Sequence, residues 1–443
     1  MPKSSRLTWV MPLLAVLGGL SARAAEAPVP ATEPPAAPKP RTGWRIQGLP
    51  LLNFNSDEGL GFGARVLLID AGDGTQRPYR QSVMGQFFQT TRGVAAHRLS
   101  LDAPGFLGSS WRVGVNLAYL NTRFSPYFGL GQDAVYEPDF EACEDRGALE
   151  REPNVCPGNP AFRGARYYSF QERTFPSVHL SARRSILGPW QVAVGYRFRL
   201  TQVSTRYSPK DLGQARDSRL EEDARRGLLT GLAGEARAEL FRTAELTASL
   251  LLDLRDNEPA PVRGMFHELT ARGGLEPVGS SFRYWGATAS LRFYHPLLSE
   301  RLVAALRLMG DVMGGDVPFF LLSQFGGVDW RDGLGGIGGV STARGILKNR
   351  LQGEVKALAN AELRWKFLSV EPWEQRVDLT LVAFLDAGKA WADLRFRDEG
   401  LARYAGGGGL RIAWEEHFIV RMDYGVSPDD GTTGFYLDFN HLF

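Results

Sequence analysis

From Gly43 to Phe443 apolar residues recur at every second position in stretches of about ten, a period that belongs to β-strands and is incompatible with helices. Val355, Ala357, Ala359, Ala361, Leu363, Trp365 and Phe367 alternate with Glu354, Lys356, Asn360, Glu362, Arg364 and Lys366, with Leu358 the one exception. The same division separates Trp111, Val113, Val115, Leu117 and Tyr119 from Arg112, Gly114 and Asn116, and Val192, Val194, Tyr196, Phe198 and Leu200 from Arg197 and Arg199. It recurs in Phe418, Val420, Met422 and Tyr424 against Arg421 and Asp423. A soluble sandwich also alternates, but with its polar face outward, whereas a transmembrane barrel turns charge into a wet lumen and apolar side chains toward lipid. About sixteen strands, at roughly 25 residues per strand and connection, together with aromatics near the strand ends, point to an all-β, transmembrane antiparallel β-barrel.

The connections supply a parity test. If the first strand, near 44–53, runs outward, even-numbered connections are periplasmic turns and odd-numbered ones are outer loops. The short connections Pro104–Ser110, Leu187–Trp190, Pro296–Glu300 and Val370–Gln375 fall on the periplasmic side, and the long ones, 124–165, 204–226 and 312–353, fall outside. The third and sixth outer loops are therefore long. The region 227–253 is too long for one strand and has no clear boundary.

The N-terminus sets the compartment. Lys3 and Arg6 precede an apolar run from Leu7 to Leu20, and Ala22-Arg23-Ala24 makes a small-x-small cleavage site, so residues 1–24 are expected to be a signal peptide. Residues 25–42, rich in proline and alanine, are expected to be a disordered spacer, and 43–443 the barrel. No later stretch reaches the ~18 apolar residues of a spanning helix; the run Leu246–Leu252 stops at Asp253. Lysine and arginine number 51 against 49 aspartate and glutamate, a balance that points neither to nucleic acid nor to a strongly charged partner surface, and no nucleic-acid partner is expected. Cys143 and Cys156 lie close together in an outer-loop segment of an exported chain, where a disulfide is expected and a metal site, with no histidine nearby, is not.

Five segments carry a family resemblance. Asp253-Leu254-Arg255-Asp256-Asn257, followed by Pro259, Pro261 and Gly264, resembles the D-x-R-D-N-x-P-x-P-x-x-G turn of the BamA/TamA superfamily of outer-membrane proteins, the bacterial surface antigen family. Ala343-Arg344-Gly345-Ile346, after Gly333, Gly335, Gly336, Gly338 and Gly339, resembles the arginine-glycine-aromatic tip of that family's sixth outer loop, with Ile346 in the aromatic's place. Asn360-Ala361-Glu362-Leu363-Arg364 and Phe384-Leu385-Asp386-Ala387-Gly388 resemble the two strands that follow, and Tyr127-Phe128-Gly129-Leu130-Gly131 a segment of the third loop. The final stretch, with Phe435, Leu437, Phe439 and Phe443 in alternation, is similar to the signal that the barrel-assembly machinery reads on its clients.

The resemblance implies that the sixth loop folds into the lumen and that Arg344 pairs with acidic wall residues. The strand pattern agrees: Glu362 and Asp386 both face the lumen from neighbouring strands, where an unpaired carboxylate is costly and a bidentate arginine partner is favoured. Family assembly factors usually carry POTRA domains ahead of the barrel, and here about eighteen spacer residues stand in that place, so a separate periplasmic partner protein is implied. Two functions remain open: an assembly or translocation module acting through a weak seam between first and last strands, and a passive or loop-gated pore or structural barrel with partner-binding outer loops. Lipid and lipopolysaccharide surround either. An enzyme is not expected: the six histidines, 97, 179, 267, 295, 417 and 441, accompany no G-x-S-x-G elbow and no H-E-x-x-H pair, and no cofactor is implied.

Overall fold

The computed structural model describes residues 42–443 apart from 74–78, 153–154, 208–216, 329–334, 373–374, 397–399, 401 and 415–417. The expected signal peptide, all of the spacer but Thr42, Gly333 and His417 lie outside the described residues.

Sixteen antiparallel strands close into one barrel in chain order. They are β1 (Trp44–Asn55), β2 (Gly59–Asp70), β3 (Gln81–Thr90), β4 (Val94–Ala103), β5 (Arg112–Pro126), β6 (Ser169–Leu187), β7 (Trp190–Ser204) and β8 (Glu239–Asp253). The second half comprises β9 (Gly264–Gly274), β10 (Tyr284–Pro296), β11 (Leu302–Gly315), β12 (Val355–Val370), β13 (Val377–Trp391), β14 (Arg403–Trp414), β15 (Phe418–Ser427) and β16 (Thr432–Phe439). Their alternation has the polarity of a membrane barrel. Trp285, Trp365 and Leu385 are 50%, 52% and 56% exposed on the outside, while Arg307, Lys356 and Asp386 are at most 1% exposed within. An outer surface this apolar would be an aggregation hazard in water and is matched by a bilayer.

The long connections are all odd-numbered and share one rim: loop three (127–168), loop four (205–238) and loop six (316–354). At the opposite rim the turns are short, such as 188–189 and 297–301. Loop four is longer than the sequence pattern indicates. The strand within 227–253 begins only at Glu239, and Leu229, Leu232 and Ala236 pack into a core shared by loops three, four and six. A short helix (Arg219–Arg225) of loop four joins that core through Leu220 and Ala224 and starts with a Ser218–Glu221 capping box. A disulfide joins Cys143 to Cys156 in loop three.

The last strand departs from the simple alternation. Phe435, Leu437 and Phe439 share the outer face, but β16 ends at Phe439, and Phe443 does not continue it; Phe443 is 8% exposed, packed against Tyr294 and Ala305 of the lumenal wall. The reason is local: Asn440 adopts φ 66°, a left-handed conformation that ends a strand and that asparagine tolerates better than most residues.

Candidate functional site

Within β12, Asn360, Glu362 and Arg364 occupy alternate positions and face the lumen together; in β13, Phe384 and Asp386 do the same. The register pairs Asn360 with Asp386 and Glu362 with Phe384, so two carboxylates, an amide and a ring are presented on one patch of wall. Arg344 of loop six docks on it. Its Nε and Nη2 donate to the two oxygens of Asp386 at 2.9 and 3.1 Å, and its Nη1 donates to Glu362 at 2.7 Å. The backbone N–H of Arg344 adds a 3.0 Å bond to Asp386, and the guanidinium lies 3.6 Å over the Phe384 ring.

A third carboxylate, Asp423 of β15, receives Arg344 Nη1 at 3.2 Å. Two wall arginines complete the cluster: Arg364 donates to Glu362 at 2.8 Å and Arg411 to Asp423 at 2.7 Å. The carboxylate side chains and that of Arg344 are fully buried, so each charge depends on these partners rather than on water. Asp386 has the fewest alternatives; besides Arg344 it is bonded by Asn360 Nδ2 at 2.8 Å.

Gly345 lets the loop reach the wall. It has φ 92°, and an added Cβ would stand 2.6 Å from the backbone carbon of Gly425 in β15. Its N–H donates to the Tyr436 hydroxyl at 3.0 Å and its carbonyl accepts from Thr432 Oγ1 at 2.8 Å. Gly388 performs the same service on β13, where a Cβ would meet Ile337 of loop six at 2.3 Å. Ile346 is buried in a cluster with Phe128 and Tyr168 of loop three.

Loop six also contacts both sides of the junction between β1 and β16. On the β16 side Arg350 donates to Asp430 at 3.0 Å. On the β1 side the Lys348 ammonium pairs with Glu58, and its backbone N–H donates to Asp57 at 3.1 Å. Burial pushes the Asp57 carboxyl up to about 6 despite Lys348 beside it. At Glu58 burial is outweighed by Lys348 and the Asn55 amide, which hold its carboxyl below the ordinary value. The β1–β16 junction itself is short: Phe54 pairs with Leu437 and Asn55 with Tyr436, whereas β1 pairs with β2 along its whole length.

The turn motif lies far from this patch, at the other rim. Arg255 forks onto both oxygens of Asp253 at 2.9 and 2.8 Å, and Asp256 Oδ1 accepts from the N–H groups of Asn257, Val262 and Arg263. Gly264 has φ 103° with Leu254 carbonyl 2.0 Å from where a Cβ would stand. These contacts shape a turn and present no free reactive group. Among the described residues no group of three or more histidine, cysteine or carboxylate side chains is arranged to hold a metal. Nothing in the sequence marks Tyr436 or Arg411, and Asp423 shows only its polar-face position; barrel closure is what brings it to Arg344.

A closed sixteen-stranded barrel with a long loop docked on its inner wall defines a class of outer-membrane β-barrel. The model of the Omp85 superfamily domain matches residues 93–443, and the chain belongs to that superfamily. No curated protein matches it in sequence. Among solved structures it is similar to BamA from Haemophilus ducreyi lacking POTRA domains 1–3, with a TM-score of 0.56 and 14% identity over 90% of this chain and 70% of that one. It is also similar to CdiB from Escherichia coli, with a TM-score of 0.52 and 10% identity over 89% of this chain and 63% of that one.

Proposed function

We propose that the barrel handles other outer-membrane polypeptides, in assembly or translocation, with the β1–β16 junction as its working edge and loop six held in the lumen by Arg344. The observation that carries this is the short junction, two residue pairs against full-length pairing between β1 and β2. An unpaired strand edge is a template for a further strand, and in lipid its free backbone groups gain most from one. In this reading the chain is exported on its N-terminal segment, inserted by the barrel-assembly machinery, surrounded by lipid and lipopolysaccharide, and served by a separate periplasmic protein, with no enzymatic step. A loop-gated pore is the second reading, favoured by a cavity of about 320 Å³ beside loop six, lined by Asp57, Glu58, Arg98, Glu172 and Lys348.

Reconstituted vesicles separate the two. A urea-unfolded small outer-membrane barrel is added, and its folded, gel-shifted form is followed with time. Faster insertion than in empty vesicles, lost when Phe54→Cys and Leu437→Cys are cross-linked and regained on release, supports polypeptide handling. No acceleration, together with a steady conductance, gives the pore reading the lead.

A further inference from the structure

Like charges directly opposite one another on neighbouring strands are destabilising, and among the described residues the barrel carries three such pairs of arginine on its lumenal face. The register sets Arg112 of β5 against Arg183 of β6, Arg292 of β10 against Arg307 of β11, and Arg411 of β14 against Arg421 of β15. Arg307, Arg411 and Arg421 are buried, and Arg112, Arg183 and Arg292 share their strand faces with the buried Asn116, His179 and Ser290. Each of the six stands in the half of its strand nearer the short-turn rim.

Their counter-charges fall short. Arg112 donates through Nε and Nη2 to the two oxygens of Asp102, both at 2.7 Å, Arg411 donates to Asp423 at 2.7 Å and Arg421 to Asp438 at 2.9 Å. Asp423 is shared with Arg344, and Glu362, 3.6 Å from Arg411, is already bonded by Arg344 and Arg364. Arg183 lies in the field of Asp253, but that carboxylate is forked by Arg255. Arg307 donates to the neutral oxygens of Asn360, Ser341 and Leu442. Arg292 lies over the Phe266 ring, 5.1 Å from its centroid, with its Nε unbonded among the described residues. Other carboxylates at this rim carry cations of their own: Asp70 has Arg80, and Asp378 has Lys366 and Arg376.

We infer that the half of the lumen nearer the short-turn rim is a vestibule that concentrates small anions and repels small cations. A wet recess with low-dielectric walls and an excess of one charge focuses its field inward. Water reaches this wall: the Arg112 side chain is 39% exposed and that of Asp102, its partner, 30%. The three pairs stand on separate arcs of the barrel, β5–β6, β10–β11 and β14–β15, so their fields add in the lumen rather than along one side. An anion between Arg112 and Arg183 relieves a repulsion that the fold alone leaves standing. This selectivity holds for a polypeptide-handling barrel and for a pore alike.

The test uses the full-length chain in an uncharged detergent, which leaves both rims accessible, with one cysteine placed in the vestibule. Cys143 and Cys156 are joined to each other and do not compete. Ser181→Cys puts the thiol opposite Gly114, on the same face as Arg183; Gln191→Cys, on the same face as the buried Ala193 and Arg197, carries the test if the first variant fails to fold. Each is modified by a sulfonatoethyl and by a trimethylammonioethyl methanethiosulfonate, and the ratio of rates is divided by the ratio on a free small thiol. At about 0.1 M salt the anionic reagent should be favoured about tenfold, and the preference should nearly vanish at about 1 M, where the screening length falls to about 3 Å. Arg183→Gln, which removes a like-charge contact, should lower the preference about threefold. Equal rates, a preference for the cation, or thiols that react with neither reagent would each overturn the vestibule. A preference unchanged by salt or by Arg183→Gln would overturn its assignment to the arginine pairs. None of these results bears on whether vesicles insert a polypeptide, so the vestibule and the functional reading fail separately.

Discussion

Replacing Arg344 with alanine deletes four side-chain hydrogen bonds, two to Asp386 and one each to Glu362 and Asp423, and leaves three carboxylates facing one another. The losses are unequal. Glu362 keeps Arg364 and Asp423 keeps Arg411, so those charges remain compensated; Asp386 keeps only the neutral amide of Asn360 among its side-chain donors. Stranding a buried charge costs about 3–5 kcal/mol, and taking the lower figure because two of the three carboxylates stay paired gives a factor of roughly 100 against the seated loop. The expected outcome in planar-bilayer recording is a parent that is closed for most of the trace and a variant with frequent, larger openings. Adding Asp386→Asn to Arg344→Ala removes the stranded charge and should restore about tenfold of the closed population, a hydrogen bond to an ionised group being worth roughly 1.5 kcal/mol or more. If the parent is already a wide, steady pore and the variant has the same conductance, loop six is not held by Arg344 and the reasoning fails.

Gly345→Ala should give the same phenotype with every charge intact, since a Cβ there meets the Gly425 backbone at 2.6 Å and forces φ 92° on an L-residue at a cost of about 1–2 kcal/mol; silent behaviour in conductance would mean that the loop does not need this approach. Cys143→Ser with Cys156→Ser should speed proteolysis of loop three while leaving the melting of the barrel unchanged, because a ring of this size is worth about 3 kcal/mol to the loop alone; a large fall in barrel melting temperature would contradict that division. Asp57 has a folded value near 6 against 3.8 unfolded, so its burial is unopposed only while it is protonated and destabilises the loop-six contact progressively as pH rises from about 4 through 6. Asp57→Asn should therefore make melting less sensitive to pH between 4 and 7, and an unchanged pH profile would show that the carboxyl is not buried in solution.

Strand identity and facing were legible because period two is a local property: each of Asn360, Glu362 and Arg364 faces the lumen whatever the rest of the barrel does. The same argument set Glu362 and Asp386 on neighbouring strands and made Arg344 the natural cation between them. Asp423 could be placed on a polar face but not next to Arg344, since that proximity comes from the curvature of four strands. The boundary of loop four was hidden for a different reason. Leu228, Leu229 and Leu232 look like strand residues, and it is the shared core with loops three and six that claims Leu229 and Leu232. At the end of the chain Phe439, His441 and Phe443 keep the alternating pattern, so nothing periodic marks the bend; the signal was the asparagine at 440, which tolerates a left-handed turn.

The core joining loops three, four and six has a consequence for how the wide rim can move. Tyr127 donates to Asp223 of the loop-four helix at 2.9 Å, and Phe319 and Phe320 of loop six pack edge-to-face against Phe241 at the start of β8. Loops built this way do not flap one at a time; withdrawing one exposes the apolar faces of the other two. The rim should behave as a single cooperative unit, protected from hydrogen exchange as a block and opening, when it opens, in one sub-global step.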